Sequence, residues 1–307
     1  MTNYQFCFII VTIVKLADGL TALAPYMFAN TGLVSFDIPA SVTDVSAEGV
    51  FANNANLTTV NFGDGATGIL GAKFFYECTA LKEVALSSGI TQLGKIPVEG
   101  TDYDGSGDII GWEASGYGTS EPSYAFYGCT ALEKVEIPGV YHIGAYAFYG
   151  CTSLKDVIFG EYLSVIGDYA FAECTGLEAL DMSTTEVWTD GGNYPGKAEI
   201  GAFAFYNCSS IADLGLPYII HFIKDGAFEG CNAIKKLSIG NIAPPPSGGF
   251  KGCPFRGWTS EQTIFFEYHT SAQRFNFITL PDYGVFPGFT SDWTKNHEAA
   301  IVFKDEV

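Results

Sequence analysis

The side chains of this 307-residue chain that could do chemistry are few and regularly placed. Its eight cysteines fall at spacings of 71, 51, 22, 23, 34, 23 and 22 residues. Zinc needs ligands at short spacing, and here there is neither a CxxC nor a nearby histidine partner. Seven of the thiols occupy one slot of a repeat, which predicts a buried, reduced column too dry to supply a nucleophile. Disulfides between neighbours in that column would require their Cβ vectors to converge. His297-Glu298 begins like a zinc-protease helix, but Ile301 fills the place of the second histidine. His142 and His221 sit in corresponding repeat slots and form no dyad, and the chain has no G-x-S-x-G and no P-loop. The expectation is a protein that is not an enzyme.

One segment has the spacing of a cation site. Asp102, Asp104, Ser106, Asp108 and Glu113 stand at positions 1, 3, 5, 7 and 12 of a twelve-residue loop with Gly107 at position 6. Hard oxygen donors at alternate positions suit calcium, with a backbone carbonyl serving at position 7 and the glycine permitting the sharp turn. An EF-hand also needs flanking helices. Here Pro97 and Gly100 precede the loop, and Gly116, Gly118 and Pro122 follow it. The competing reading is a solvated acidic loop, because residues 87–122 hold six carboxylates and one lysine.

The elements that would position these groups follow from internal periodicity. Segments such as SYAFYGCTALEKVEIP, AYAFYGCTSLKDVIFG and DYAFAECTGLEALDMS are copies of one unit. With Phe28, Phe51, Phe75, Phe126, Phe148, Phe171, Phe205, Phe228 and Phe250 as anchors, successive differences are 23, 24, 51, 22, 23, 34, 23 and 22. Three residues after the anchor comes Cys, or Asn54 in the second copy, and six after comes Leu or Ile; the first copy runs one residue short but keeps Leu33, Phe36 and Ile38. Apolar residues at +9 and +11 share one face of a short strand, as in Val135 and Ile137. A second apolar pair precedes the next anchor, as in Val165-Ile166-Gly167. One such unit cannot bury its apolar stripe alone, whereas stacked units bury a continuous column. The expected fold is mostly β: a solenoid over residues 1–253 with short parallel strands on one face, the anchors in a ladder away from that sheet, and a C-terminal cap over 254–307. At about 4.8 Å per strand, nine units span roughly 43 Å. The glycine of Ile-Gly-x-x-Ala-Phe is expected to supply a positive-φ turn.

The two long intervals read as insertions, at 87–122 and 183–200, which should leave the repeat at the same point and project from one edge. Tyr103, Trp112 and Tyr117 in the first, with Trp188 and Tyr194 in the second, are candidate binding residues, since insertions on one solenoid face often form the recognition surface. The alternative is that these rings pack back on the coil.

Composition narrows the class. Fifteen Lys+Arg against 34 Asp+Glu give a net charge of −19, and 48% of the residues are apolar. That apolar mass excludes a disordered acidic tail, and the charge excludes general nucleic-acid binding. Phe6 to Val14 is apolar but far shorter than the roughly 20 residues of a membrane span. It lacks the positive flank of a signal peptide, and Tyr4, Cys7, Ile10 and Ile13 fit the repeat slots, so a degenerate repeat is the favoured reading. Asn56 and Asn207 begin N-x-S/T sequons, which matter only for a chain secreted by a eukaryote.

The pattern AFxxCxxLxxVxIPxxVxxIGxxAF resembles the BspA-like leucine-rich repeats, a bacterial subtype with a unit of about 23 residues. The resemblance covers nearly the whole chain. It implies the solenoid and a closing strand, short helix and Trp segment. It also implies a surface-exposed or secreted, adhesin-like protein that binds a protein or glycan without a required cofactor. An intracellular scaffold is the alternative.

Overall fold

The computed structural model describes residues 14, 16, 19–94, 122–161, 163–183, 198–217, 219–242, 249–250, 252–267 and 297–307. Each repeat makes one rung of a coil with three hydrogen-bonded faces. On the first face the strands Ser35–Ile38, Thr59–Phe62, Glu83–Ala85, Lys134–Ile137 and Asp156–Phe159 pair in parallel. Alternation decides which residues enter the core: in Ser35–Ile38, Phe36 and Ile38 are buried while Ser35 and Asp37 face out. The register holds the +9 slot constant, so that Phe36, Val60, Val84, Val135 and Val157 lie side by side. Ala179–Asp181 pairs with Asp213–Gly215 in a second sheet, and a third joins Lys236–Ile239, Thr263–Phe266 and Ala300–Phe303. The first face therefore runs on into the segment that the sequence reserved for a cap, with Leu237, Ile264 and Ile301 aligned.

The second face is built by the apolar pair before each anchor. Thr67–Leu70, Gly89–Leu93, His142–Ile143, Val165–Ile166, Ala198–Ile200, Ile219–Ile223 and Asn241–Ile242 form one parallel sheet, which the sequence had read only as apolar pairs. It relocates both insertions. Residues 89–93 and 198–200, placed inside the insertions by sequence, are strands of this sheet. The first insertion leaves after Gly94, between the second face and the anchor turn. The second leaves after Ser183, between the first and second faces. The two therefore depart from different corners of the coil, not from one.

The third face is the anchor turn, where main-chain bonds run from rung to rung: Phe126 N–H to Ala147 O (2.7 Å), Phe148 N–H to Ala170 O (2.7 Å) and Phe171 N–H to Ala204 O (2.8 Å). The anchor rings stack in single file behind it. Phe28, Phe51, Phe75, Phe126, Phe148, Phe171, Phe205 and Phe228 follow one another at 5.0–5.8 Å with interplanar angles of 25° or less. The ninth ring is Phe255, 5.7 Å from Phe228, and not the expected Phe250. Gly249–Phe250 instead pairs with Phe222–Ile223 on the second face.

The expected glycine turn is also corrected. Gly144, Gly167 and Gly201, four residues before their anchors, do not have positive φ. They sit there because the neighbouring rung passes too close for a side chain: an added Cβ at Gly167 would lie 2.5 Å from Ala145 N. The left-handed positions are two residues either side of the anchor, for example Tyr146 (φ 58°) and Gly150 (φ 72°) around Phe148.

Candidate functional site

The cysteine slot is the first place to look for reactivity, and the structure gives it a structural role. Cys78, Cys129, Cys151, Cys174, Cys208 and Cys231 each donate S–H to the carbonyl of the preceding anchor, at 3.0–3.1 Å. Asn54 performs the same task through Nδ2, 2.6 Å from Phe28 O, and Trp258 through Nε1, 2.9 Å from Phe228 O. The slot thus selects for a hydrogen-bond donor of the right reach, which explains why two non-cysteines fit it. Trp258, three residues after Phe255, takes the place that the sequence assigned to Cys253. None of the seven described cysteines forms a disulfide, and all are buried. Burial pushes the Cys78 and Cys208 thiols up to about 12 and raises those of Cys129, Cys151, Cys174 and Cys231 well above the usual thiol range. A thiol in that state is not a nucleophile.

What the anchor turn shows to solvent is aromatic. The residue two before the anchor and the residue one after it form two rows along the coil. Tyr124, Tyr146, Tyr169 and Phe203 make the first, at 5.3, 4.8 and 5.0 Å. Tyr76, Tyr127 and Tyr149 make the second, at 5.1 and 5.0 Å with planes within 8°. The rows meet edge to face, as in Tyr124 against Tyr127 at 5.4 Å. These rings are half-buried, and burial first, then neighbouring carboxylates and tyrosines, raises the phenols of Tyr76, Tyr146, Tyr149 and Tyr169. They therefore present neutral hydroxyls. The sequence signal for these rows is the repeated Tyr-Ala-Phe-Tyr of the copies at 124–127 and 146–149.

At their leading end the rows open into a groove of about 460 Å³ lined by Tyr26, Ala52, Asn53, Lys73, Tyr76, Tyr124 and Tyr127. Three rungs cooperate at its polar edge. Glu48 Oε1 accepts from Lys73 Nζ at 2.8 Å and from Tyr26 Oη at 2.6 Å. Those bonds, that from Lys73 first, hold the Glu48 carboxyl below its usual range and raise Lys73 and Tyr26. The first insertion departs and returns beside this groove, since an added Cβ at Gly94 would touch Ser123, next to Tyr124.

The outward side of the first face is exposed as well. It carries Asp37, hydrogen-bonded by Asn61 at 2.7 Å, then Glu136, Ile158 and Asp181, with Lys134 paired to Glu136 at 2.6 Å. This surface offers scattered carboxylates.

Tyr103, Trp112, Tyr117, Trp188 and Tyr194, and the calcium-loop residues Asp102, Asp104, Ser106, Asp108 and Glu113, lie outside the described residues. Among the described residues no group of three or more His, Cys, Asp or Glu is placed to hold a metal, and no helix is long and apolar enough to cross a membrane.

Comparison with known proteins bears on the scaffold. The model of the BspA type leucine rich repeat region matches in six copies, over residues 1–102, 119–241 and 193–255. Among solved structures, the chain is similar to a leucine-rich repeat protein from Bacteroides ovatus (22% identity over 74% of this chain and 66% of that one, TM-score 0.32). It is also similar to a leucine rich cell surface protein from Faecalibacterium prausnitzii (23% identity, 70% and 61%, TM-score 0.33). A third is the pneumococcal vaccine antigen PcpA (15% identity, 94% and 72%, TM-score 0.45). The chain spans less than two thirds of the length of the first two. No curated protein matches.

Proposed function

The chain belongs to the BspA type leucine-rich repeat proteins, and from that premise we propose that it is a non-catalytic binding module, displayed on a cell surface or secreted, that holds a protein or glycan ligand in the manner of an adhesin. The observation that carries this reading is the inversion of chemistry across the anchor turn. Every thiol of the column is turned inward to a carbonyl, while the ring edges and hydroxyls of two tyrosine rows face solvent. Such a surface offers area and hydrogen bonds at little cost in side-chain entropy, since a tyrosine has only two torsions to lose. The insertion aromatics Tyr103, Trp112, Tyr117, Trp188 and Tyr194 extend the same reading, with the first insertion rooted beside the groove. Calcium at Asp102, Asp104, Ser106, Asp108 and Glu113 would stiffen that insertion, and a melting temperature that does not respond to added Ca²⁺ or to chelator removes it.

The test is a ligand screen with the full chain and with chains lacking 95–121 or 184–197. Loss of a ligand with either deletion supports the reading and locates the surface. A profile unchanged by both moves the site to the coil itself, and the absence of any ligand sinks the proposal.

A further inference from the structure

The second tyrosine row, Tyr76, Tyr127, Tyr149 and Tyr206, begins at Tyr76: the same slot holds Ala29 and Ala52 on the two rungs before it, and Ala172 breaks the row between Tyr149 and Tyr206. Tyr76 consequently has Tyr127 stacked on one ring face at 5.1 Å and 8°, and only the methyl group of Ala52 in the slot beside the other. Successive rings of the row lie 5.1 and 5.0 Å apart, and in the groove the uncovered face of Tyr76 is the position for one further ring. Its surroundings are polar: the Tyr26–Glu48–Lys73 hydrogen bonds on one side and the exposed Asn53 amide on the other.

From this geometry, and resting on the binding role proposed above, we infer that the groove receives one hexopyranose unit of a neutral glycan. A pyranose has an apolar C–H face, which matches the electron-rich face of Tyr76. It also has a rim of equatorial hydroxyls that can donate to Glu48 and accept from Lys73 and Asn53. A concave site with one apolar platform and a few convergent polar groups binds in this way. Charge selects against anionic sugars. The protein carries −19 overall, and Lys73, the cation of the groove, is already paired with Glu48. A sialylated or sulfated unit would therefore enter an unfavourable field. An aromatic side chain of a protein partner could cover Tyr76, but it would leave the polar rim without partners.

The full chain is applied to an array of neutral, sialylated and sulfated oligosaccharides, and the strongest neutral binder is titrated calorimetrically against Ala52→Tyr and Ala172→Tyr. Both variants insert a ring that four other rungs already carry in this slot, and thermal melts check that they fold. The expected result is binding of neutral glycans that weakens roughly tenfold or more in Ala52→Tyr and is unchanged in Ala172→Tyr. Binding confined to anionic glycans, or equal behaviour of the two variants, overturns the inference. So does a protein ligand displaced by Ala52→Tyr in the absence of any glycan binding, although that outcome keeps the binding-module reading. Failure to bind glycans and proteins alike removes both.

Discussion

At the scale of single residues, the column of thiols is a set of hydrogen bonds before it is a set of sulfur atoms. Each donor adds a second hydrogen bond to a buried anchor carbonyl that already accepts a backbone N–H of its own rung, as Phe126 O does from Cys129 N–H at 3.1 Å, and one such bond contributes about 0.5–1.5 kcal/mol. Cys151→Val removes the bond to Phe126 O while keeping an apolar side chain of similar size. It is expected to lower stability by that amount in urea titration, with Cys151→Ser, which keeps a donor, falling less far. His142 makes the second residue-level prediction. It is buried on the second face between Gln92 and Val165, and burial lowers its pKa to about 4, with Glu199 acting weakly in the opposite direction. The unfolded chain then binds the proton more readily than the folded one. The stabilisation is complete above pH 6.5 and is lost as pH falls towards 4, by about 3 kcal/mol over the window. Subtracting the pH profile of His142→Gln from that of the wild type should isolate this slope; a flat difference contradicts it.

At the scale of the element, the rung is defined by where backbones approach. Gly167 faces Ala145 N across a gap that a methyl group cannot share, and the obstacle is main chain that has no rotamer with which to yield. Gly167→Ala is expected to cost about 1–3 kcal/mol as overpacking, read as a lower denaturation midpoint with little change in slope. The sequence marked this glycine as special but misassigned the reason, because a close approach depends on the neighbouring rung and not on the local chain. The last anchor was misread for a related reason. Phe250-Lys-Gly-Cys253 copies the Phe-x-x-Cys spelling, whereas Phe255-Arg-Gly-Trp258 copies the function of the slot, a donor that reaches Phe228 O. Spelling is visible in a sequence, and donor reach becomes visible only with the fold. The +9 and +11 strand residues were legible because one-face burial imposes a period of two, which any stretch of sequence displays. The tyrosine groove was not, because Tyr26, Glu48 and Lys73 belong to different rungs and meet only once the coil is wound.

At the scale of the molecule, each rung touches its neighbours and little else, so stability is a sum over rungs and the interfaces between them. The same property makes the coil divisible. Removing residues 127–148, 22 in number, would join Phe126 directly to Tyr149-Gly150-Cys151 and restore the repeat without a seam. The shortened chain should melt cooperatively and lose about 4.8 Å of length, measurable by small-angle scattering. An aggregated or molten product would mean that distant rungs depend on one another.

Because each slot cysteine from Cys78 to Cys231 reaches back to the rung before it at 3.0–3.1 Å, the joints between those rungs are alike. Tandem copying or loss of a unit thus leaves no mismatched seam. The span of the scaffold can drift over generations in steps of one copy, while the few positions that differ between copies, such as Ala52 and Lys73, are free to acquire and keep a specificity of their own.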